Sequence, residues 1–382
     1  MKKIFLMFLI FACSGLAQAQ FNKIIEINSY ADDNLYRSPD PVSDVLTNLY
    51  LGLSYKPEAG TINYYYDAHL FLYQEAVTRN FHLHEIGFDY YSSFGKQDQN
   101  YLYAGAAWLM RFDQEDYSYY DYNQLNAYLN LRFNFNAMLL RTGYNFRYRE
   151  YNAIPELTNF LNTVFIQANK TLPTRTSIIL EANLGYKSFA TQKSSAYSSM
   201  GMGRGRNLYS SESSVSEIPS MQQAILIGRV AQSFHDKLGL YIQYRQQFNL
   251  SDQTAVLSTD SYYQDEELFD DPFGYESREY SSQLSWIGPW NTQLKINAGQ
   301  ITKNYSSEQA FISAADTTGL GGARSDDRNY LSFSLSKSYK INTNWLNLFS
   351  INFNYSYIKN ASNSYWYDYK NSIIGAGVQF GF

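Results

Sequence analysis

The sequence predicts an all-β protein: a transmembrane up-and-down antiparallel β-barrel of about 16 strands. Three observations carry that prediction. Apolar and polar residues alternate with period two in successive segments of about ten to fifteen residues. The turns between segments are of two kinds, tight and long. The composition is also heavy in amphipathic rings, with 37 Tyr and 25 Phe in 382 residues, as interfacial aromatic girdles require.

The alternation is clearest from Gln124 to Asn136. Leu125, Ala127, Leu129, Leu131, Phe133 and Phe135 fall on one face. Gln124, Asn126, Tyr128, Asn130, Arg132, Asn134 and Asn136 fall on the other. A helix would mix the two sets, whereas a strand separates them. Ile62, Tyr64, Tyr66, Ala68, Leu70 and Leu72 are likewise set against Asn63, Asp67 and His69. The same rule sets Leu331, Phe333 and Leu335 against serines, and Phe349, Ile351, Phe353 and Tyr355 against Ser350, Asn352 and Asn354.

Tight turns are expected at Lys56 to Gly60, near Asn136, at Leu172 to Thr174, at His235 to Lys237, at Gly288 to Asn291 and at Asn342 to Asn344. Between them fall longer polar connections, the largest near 190–220, 251–276 and 305–327. Short turns at one rim and long loops at the other are the barrel pattern. Counting strands back from the C-terminus gives about 16, the first at 22–29. If that first segment lay outside the wall, the strands would regroup to 14.

Mean hydropathy is −0.40, and past the N-terminus no run approaches the roughly 18 apolar residues of a membrane helix. A helical membrane protein is excluded, but a barrel is not, because each strand is apolar on one face only. The N-terminus reads Met1-Lys2-Lys3, an apolar run from Ile4 to Ala12, then Ala17-Gln18-Ala19. This is the pattern of a signal peptide, 1–19, cleaved after Ala19, leaving 20–382 as a single barrel domain. Lipoprotein processing at Cys13 is the rival, and bulky Phe11 argues against it. Cys13 is the sole cysteine, so the mature chain forms no internal disulfide. The formal net charge is −5, two units more negative without Lys2 and Lys3, and it is spread evenly along the chain. No nucleic-acid partner is expected.

The chain ends Gly377-Val378-Gln379-Phe380-Gly381-Phe382. This resembles the assembly signal that closes many Gram-negative outer-membrane barrels: glycine, two spacers, aromatic, spacer, aromatic. Ile374, Ala376 and Val378 share the parity of Phe380 and Phe382; Ala376 departs from the family pattern, which usually places a polar residue there. The resemblance implies recognition of Gly377, Phe380 and Phe382 by the barrel-assembly machinery. It also implies residence in the outer membrane, against lipid and lipopolysaccharide. A fold-level likeness to porins extends over the whole mature chain.

With the apolar parity toward lipid, the polar parity lines a lumen. Arg132, Arg141, Arg147 and Arg149 then point inward on two consecutive strands, with Arg132 expected opposite Arg141. Like charges so placed need solvent or counter-charges, and the candidates are Asp67, Glu85, Asp89 and Glu181. A basic strip facing acidic groups would set a transverse field at a constriction. The alternative is a satisfied network filling a non-conducting barrel. His69 is luminal too, and is expected near Glu85 across a hairpin; an ordinary polar contact is favoured over a general-base pair, because no nucleophile accompanies it. His82 and His84 fall on the lipid parity, and His235 in a turn.

The acidic segment Asp260, Asp265, Glu266, Glu267, Asp270 and Asp271 lacks EF-hand spacing and reads as a solvated loop rather than a cation site. Gly201 to Gly205 has no strand-to-helix context and is no phosphate loop. No cofactor and no metal are expected. The leading functional expectation is a porin-like channel passing small hydrophilic solutes passively. The runner-up is a non-conducting barrel acting as a structural or assembly partner in surface export, with a surface protein held by the long loops. An outer-membrane enzyme is third. The third long-side loop, 113–123, is short, so any constriction is built differently from the third-loop fold-in of general porins.

Overall fold

The structure is a computed structural model that describes residues 21–58, 60–135, 138–190, 193–194, 216–217, 219–251, 270–341, 343 and 345–382. The expected leader lies outside the described residues. So do the turn residues 136–137, the Gly201 to Gly205 run, and Asp260, Asp265, Glu266 and Glu267.

Sixteen strands build the wall. They are β1 (Phe21–Asp32), β2 (Asp44–Tyr55), β3 (Ile62–Tyr73), β4 (Phe81–Phe94), β5 (Asn100–Asp113), β6 (Tyr122–Phe135), β7 (Met138–Tyr151) and β8 (Asn159–Thr171). Then follow β9 (Thr176–Phe189), β10 (Met221–His235), β11 (Leu238–Asn249), β12 (Tyr275–Ile287), β13 (Gln293–Gln309), β14 (Ala323–Lys340), β15 (Leu348–Ser362) and β16 (Tyr369–Gly381). A two-residue ribbon, Lys193–Ser194 with Ser216–Glu217, stands apart from them.

Each strand pairs antiparallel with its sequence neighbours, and β1 closes the sheet on β16 with Ile24 opposite Gly381 and Asp32 opposite Ile373. Closure leaves no strand edge, so the ladders satisfy the backbone along the whole wall, as hydrocarbon demands. The first strand, expected as the short segment 22–29, is a full member that pairs along both sides. The 14-strand regrouping is therefore set aside.

The apolar parity is the outward one. Ile86, Phe88, Leu129, Leu180, Leu184 and Ile242 are exposed on it, as a lipid-facing band requires. The start of β1 and the end of β16 share a rim with the short connections, such as 236–237 between β10 and β11 and 172–175 between β8 and β9. The other rim carries the connections 33–43, 190–220, 250–274 and 310–322.

Candidate functional site

Luminal chemistry follows from parity and register. Glu26 pairs with Tyr50 and Tyr50 with His69, and on the adjacent inward row Gly52 pairs with Asp67 and Asp67 with Glu85. Three tyrosines lie flat along this side of the wall and donate to the acids. Tyr50 Oη reaches Asp67 Oδ1 at 2.7 Å, Tyr65 reaches Glu85 Oε1 at 3.0 Å, and Tyr128 reaches Asp89 Oδ1 at 2.7 Å. Tyr330 does the same for Glu279 at 2.7 Å.

Each ring needs a gap to lie in, and a glycine supplies it. A Cβ on Gly87 would meet the Tyr65 ring at 2.6 Å, one on Gly105 the Tyr128 ring at 2.7 Å, and one on Gly299 the Tyr330 ring at 2.5 Å. Hydrogen bonds to a charged acceptor contribute about 1.5–3 kcal/mol each, so these clips hold the carboxylates without any arginine. The expected arginine–acid ion pairs are accordingly not found among the described residues.

The arginines divide into two pairs. Arg132 lies directly opposite Arg141 in the β6–β7 ladder. Higher on β7, Arg147 donates to Asn159 Oδ1 at 3.0 Å. Arg149 Nε donates to Gln124 Oε1 at 2.6 Å, and its guanidinium stands over the Tyr122 ring at 4.4 Å. The upper pair is thus fixed to the wall. Arg132 rests against Tyr101, 5.4 Å from its ring centre, and its Nε has no hydrogen-bond partner among the described residues. Glu181 accepts from Gln167 at 2.5 Å and from Asn183 at 2.9 Å.

The acids on β3 and β4 and the arginines on β6 and β7 are separated by β5 alone. They occupy neighbouring arcs rather than opposite walls. The strand eight places from β3 around a closed wall of sixteen is β11, and there Arg245 projects inward, next to Arg229 on β10. Arg229 Nε donates to Gln243 at 2.8 Å and Arg245 Nη2 to Gln247 at 2.7 Å. These two arginines escaped the sequence reading, although period-two parity alone places both inward.

His69 pairs with Leu83, not Glu85, which lies opposite Asp67. The length of the 74–80 connection fixes this register, one rung away from the expected one. His69 instead contacts Asn48 Oδ1 at 3.3 Å and stacks on Phe71. His82 and His84 do face outward, linked to each other at 2.8 Å, and His84 is linked to Tyr66 Oη at 2.7 Å.

At the long-loop rim the connections fold inward. Leu35, Tyr120 and Leu157, from three connections, pack on luminal Leu46, Phe71, Phe81, Tyr122 and Tyr151. Arg79, from a fourth, is sandwiched between Tyr36 at 4.5 Å and Tyr117 at 4.7 Å. Across the mouth, the end of the 250–274 connection lies on the inner wall of β9 to β14. Pro272 starts a short 3-10 turn there, capped by Asp271 Oδ1 accepting from the Phe273 amide at 3.0 Å. Phe273 packs on Phe189, Met221 and Leu161 and fills the place that a Cβ on Gly185 would take, 2.9 Å away.

Asp270 and Asp271 anchor this segment, which corrects their reading as part of a solvated loop. Both are buried. Asp271 pairs with Lys187 at 2.6 Å. Asp270 pairs with Lys303, accepts from Tyr305 Oη at 2.5 Å, and lies 3.3 Å from Arg328 Nη2. Arg324, paired with Asp326 at 2.5 Å and Glu308 at 2.7 Å, completes the cluster. Carboxylates neutralised by four cations are not a divalent-cation site. No group of metal-ligating side chains occurs among the described residues. On this side of the mouth the described inward-folded segment, 270–274, belongs to the sixth connection on its rim.

A closed wall of 16 antiparallel strands, polar inside and apolar outside, with loops folded into one mouth, defines a barrel of the porin type. Two solved structures from Pseudomonas aeruginosa share that fold. OccK8 (OprE) has a TM-score of 0.51 at 10% identity, covering 97% of this chain and 99% of that one. OpdK, solved with vanillate, has a TM-score of 0.50 at 10% identity, covering 95% and 99%. No protein-family model matches the sequence, and no curated protein is significantly similar to it.

Proposed function

We propose that this chain is an outer-membrane channel through which small hydrophilic solutes diffuse passively. The observation that carries the reading is the luminal wall. Asn, Gln, Ser, Tyr, acids and arginines fill the inward parity of a barrel whose 16 strands are wide enough for an aqueous bore. The two inward-folded loop regions give that bore a built mouth. Below it, the acids of β3 and β4 face Arg229 and Arg245 across the lumen, with Arg132, Arg141, Arg147, Arg149 and Glu181 on the arc between them. This charge pattern orients polar solutes and sets ion selectivity. OpdK, of like fold, is described with vanillate bound, which agrees with passage of small polar solutes.

Outer-membrane residence, with lipid and lipopolysaccharide around the wall, fits the exposed apolar parity. Recognition by the assembly machinery fits the C-terminal strand. Phe380 and Phe382 face outward, Phe380 with its ring centre 5.4 Å from Phe349. Gly377 has a second reason to be glycine, because a Cβ there would meet Asn28 Oδ1 at 1.8 Å.

The test is single-channel recording of the refolded mature chain in a planar bilayer under a salt gradient. Reproducible ohmic steps are expected, and neutralising Arg132 and Arg141 to Gln should move the reversal potential toward cation selectivity. Silence from a demonstrably folded sample overturns the channel. It would favour the export-scaffold reading, to which the aromatic packing of the 33–43, 114–121 and 152–158 connections lends weight.

A further inference from the structure

We propose that the lumen holds a binding subsite for ring-bearing phosphate monoesters near the short-turn rim, built by Arg132, Arg141, Tyr101, Tyr91 and Tyr103. The inference deepens the channel reading and rests on its open lumen.

Two features at this place are costly unless a ligand uses them. The first is the Arg132–Arg141 pair. The two guanidiniums project from directly opposite ladder positions, and like charges in that relation repel. Arginine keeps its charge at any working pH, so the pair presents two positive charges together. The nearest luminal acid along that row, Glu181, is already taken by Gln167 and Asn183. Arg141 is exposed, and its guanidinium makes no hydrogen bond or ion pair among the described residues. The upper arginines differ, being tied to Asn159, Gln124 and Tyr151.

The second feature is a group of exposed rings beside the pair. Tyr91 and Tyr103 are 41% and 37% exposed although both face inward. Tyr91 stacks on Tyr101 with centroids 5.6 Å apart and meets Tyr103 at 5.1 Å. Tyr101 is also the ring under the Arg132 guanidinium. Four other luminal tyrosines, Tyr50, Tyr65, Tyr128 and Tyr330, lie beside a glycine and donate to a carboxylate, whereas Tyr91 and Tyr103 leave ring surface open to the bore.

Together the parts match one ligand class. Two adjacent guanidinium forks complement a dianion with several acceptor oxygens, which a phosphate monoester provides and a single carboxylate does not. The open tyrosine faces then take a planar ring attached to that phosphate by offset stacking. At a channel's inner end, such a subsite would slow these solutes on passage and enrich them over neutral ones.

The experiment uses the full mature chain folded in detergent micelles, with folding checked by heat-modifiable migration. Binding is read by titration calorimetry with phenyl phosphate, inorganic phosphate and benzoate. Phenyl phosphate is expected to bind saturably and about tenfold more tightly than either of the others. Arg132→Gln and Arg141→Gln should each weaken it about tenfold. Tyr101→Phe, which keeps the ring, should leave it unchanged, and Tyr101→Ala should abolish its advantage over inorganic phosphate. Equal affinity in wild type and the Arg132→Gln/Arg141→Gln double variant, or benzoate binding as tightly as phenyl phosphate, overturns the proposal, as does absence of binding. The calorimetry needs no conductance. A protein that binds phenyl phosphate but stays silent in the bilayer refutes the channel and leaves the subsite standing; one that conducts without binding does the reverse.

Discussion

Replacing Asp270 by Asn should release the inward-folded segment 270–274 while leaving the barrel intact. Around this residue the buried charges cancel: Asp270, Asp326 and Glu308 against Lys303, Arg324 and Arg328. Asn keeps the shape but removes one negative charge, stranding a buried cation. Breaking a buried pair from one side costs about 3–5 kcal/mol, or roughly 150- to 4,000-fold in the docking equilibrium. The segment contributes no rung to the ladders, so the cost falls on docking rather than on the wall. Single-channel conductance should rise as the β9 to β14 side of the mouth clears. Amide exchange at Phe273 and Gly274, whose N–H groups donate within the segment to Asp271, should accelerate. Adding Lys303→Met to Asp270→Asn should restore much of the docking, since the partner charge goes too. Unchanged conductance together with unchanged exchange would refute the anchoring argument. The same cluster fixes the pH response. Burial pushes the Asp270 carboxyl up, but Lys303, Arg324 and Arg328 outweigh it and hold the group well below the usual carboxylate range. A depressed folded value means that docking is fully supported above the ordinary carboxylate range and is lost only as pH falls toward the folded value. Mild acid should therefore not open the mouth.

In the 310–322 connection, desolvation opposes ionisation of Asp316, yet the backbone amides of Ile312, Thr318, Leu320 and Gly319 bring its carboxyl down to about 2. Its support for the loop is present above the unfolded value and disappears as pH drops through about 2. Asp316→Ala should speed amide exchange at those four residues at neutral pH without altering the barrel's melting. Gly105→Ala places a Cβ 2.7 Å from both the Phe88 carbonyl and the Tyr128 ring. It should lower stability by about 1–3 kcal/mol, read by thermal unfolding in micelles. Leu180→Arg sets a charge on the lipid face at a position 60% exposed and should cost about 2–4 kcal/mol in bilayer refolding titrations. The same change at neighbouring inward Asn183 should be tolerated.

Period two made the wall legible. A strand's side chains can only alternate, so parity sorted lumen from lipid for Arg132, Arg141, Asp67 and Glu181 without any tertiary information. The β6–β7 register was also within reach, because a near-minimal turn leaves little choice of pairing and puts Arg132 against Arg141. Longer connections carry no such constraint, and His69 accordingly landed opposite Leu83 rather than Glu85. The tyrosine clips needed knowledge of which glycine faces which ring, as Gly105 faces Tyr128 across two strands. Asp270 was the hardest. Within a run of acids it reads as solvated, and what buries it are Lys303, Arg324 and Arg328, residues far along the chain that only the closed wall brings beneath it.

The seam between β1 and β16 has a bearing on how the molecule comes to exist. Ile24 meets Gly381 and Tyr30 meets Gly375, partners from the two extremes of the sequence. Until they meet, β1 and the growing last strand are both unpaired templates able to add any other chain. The ring cannot shut before β16 is made. Biogenesis must therefore hold a long, tyrosine-rich, edge-bearing polypeptide open until β1 and β16 pair, and a substitution at the seam is expected to show itself first as aggregation and poor yield.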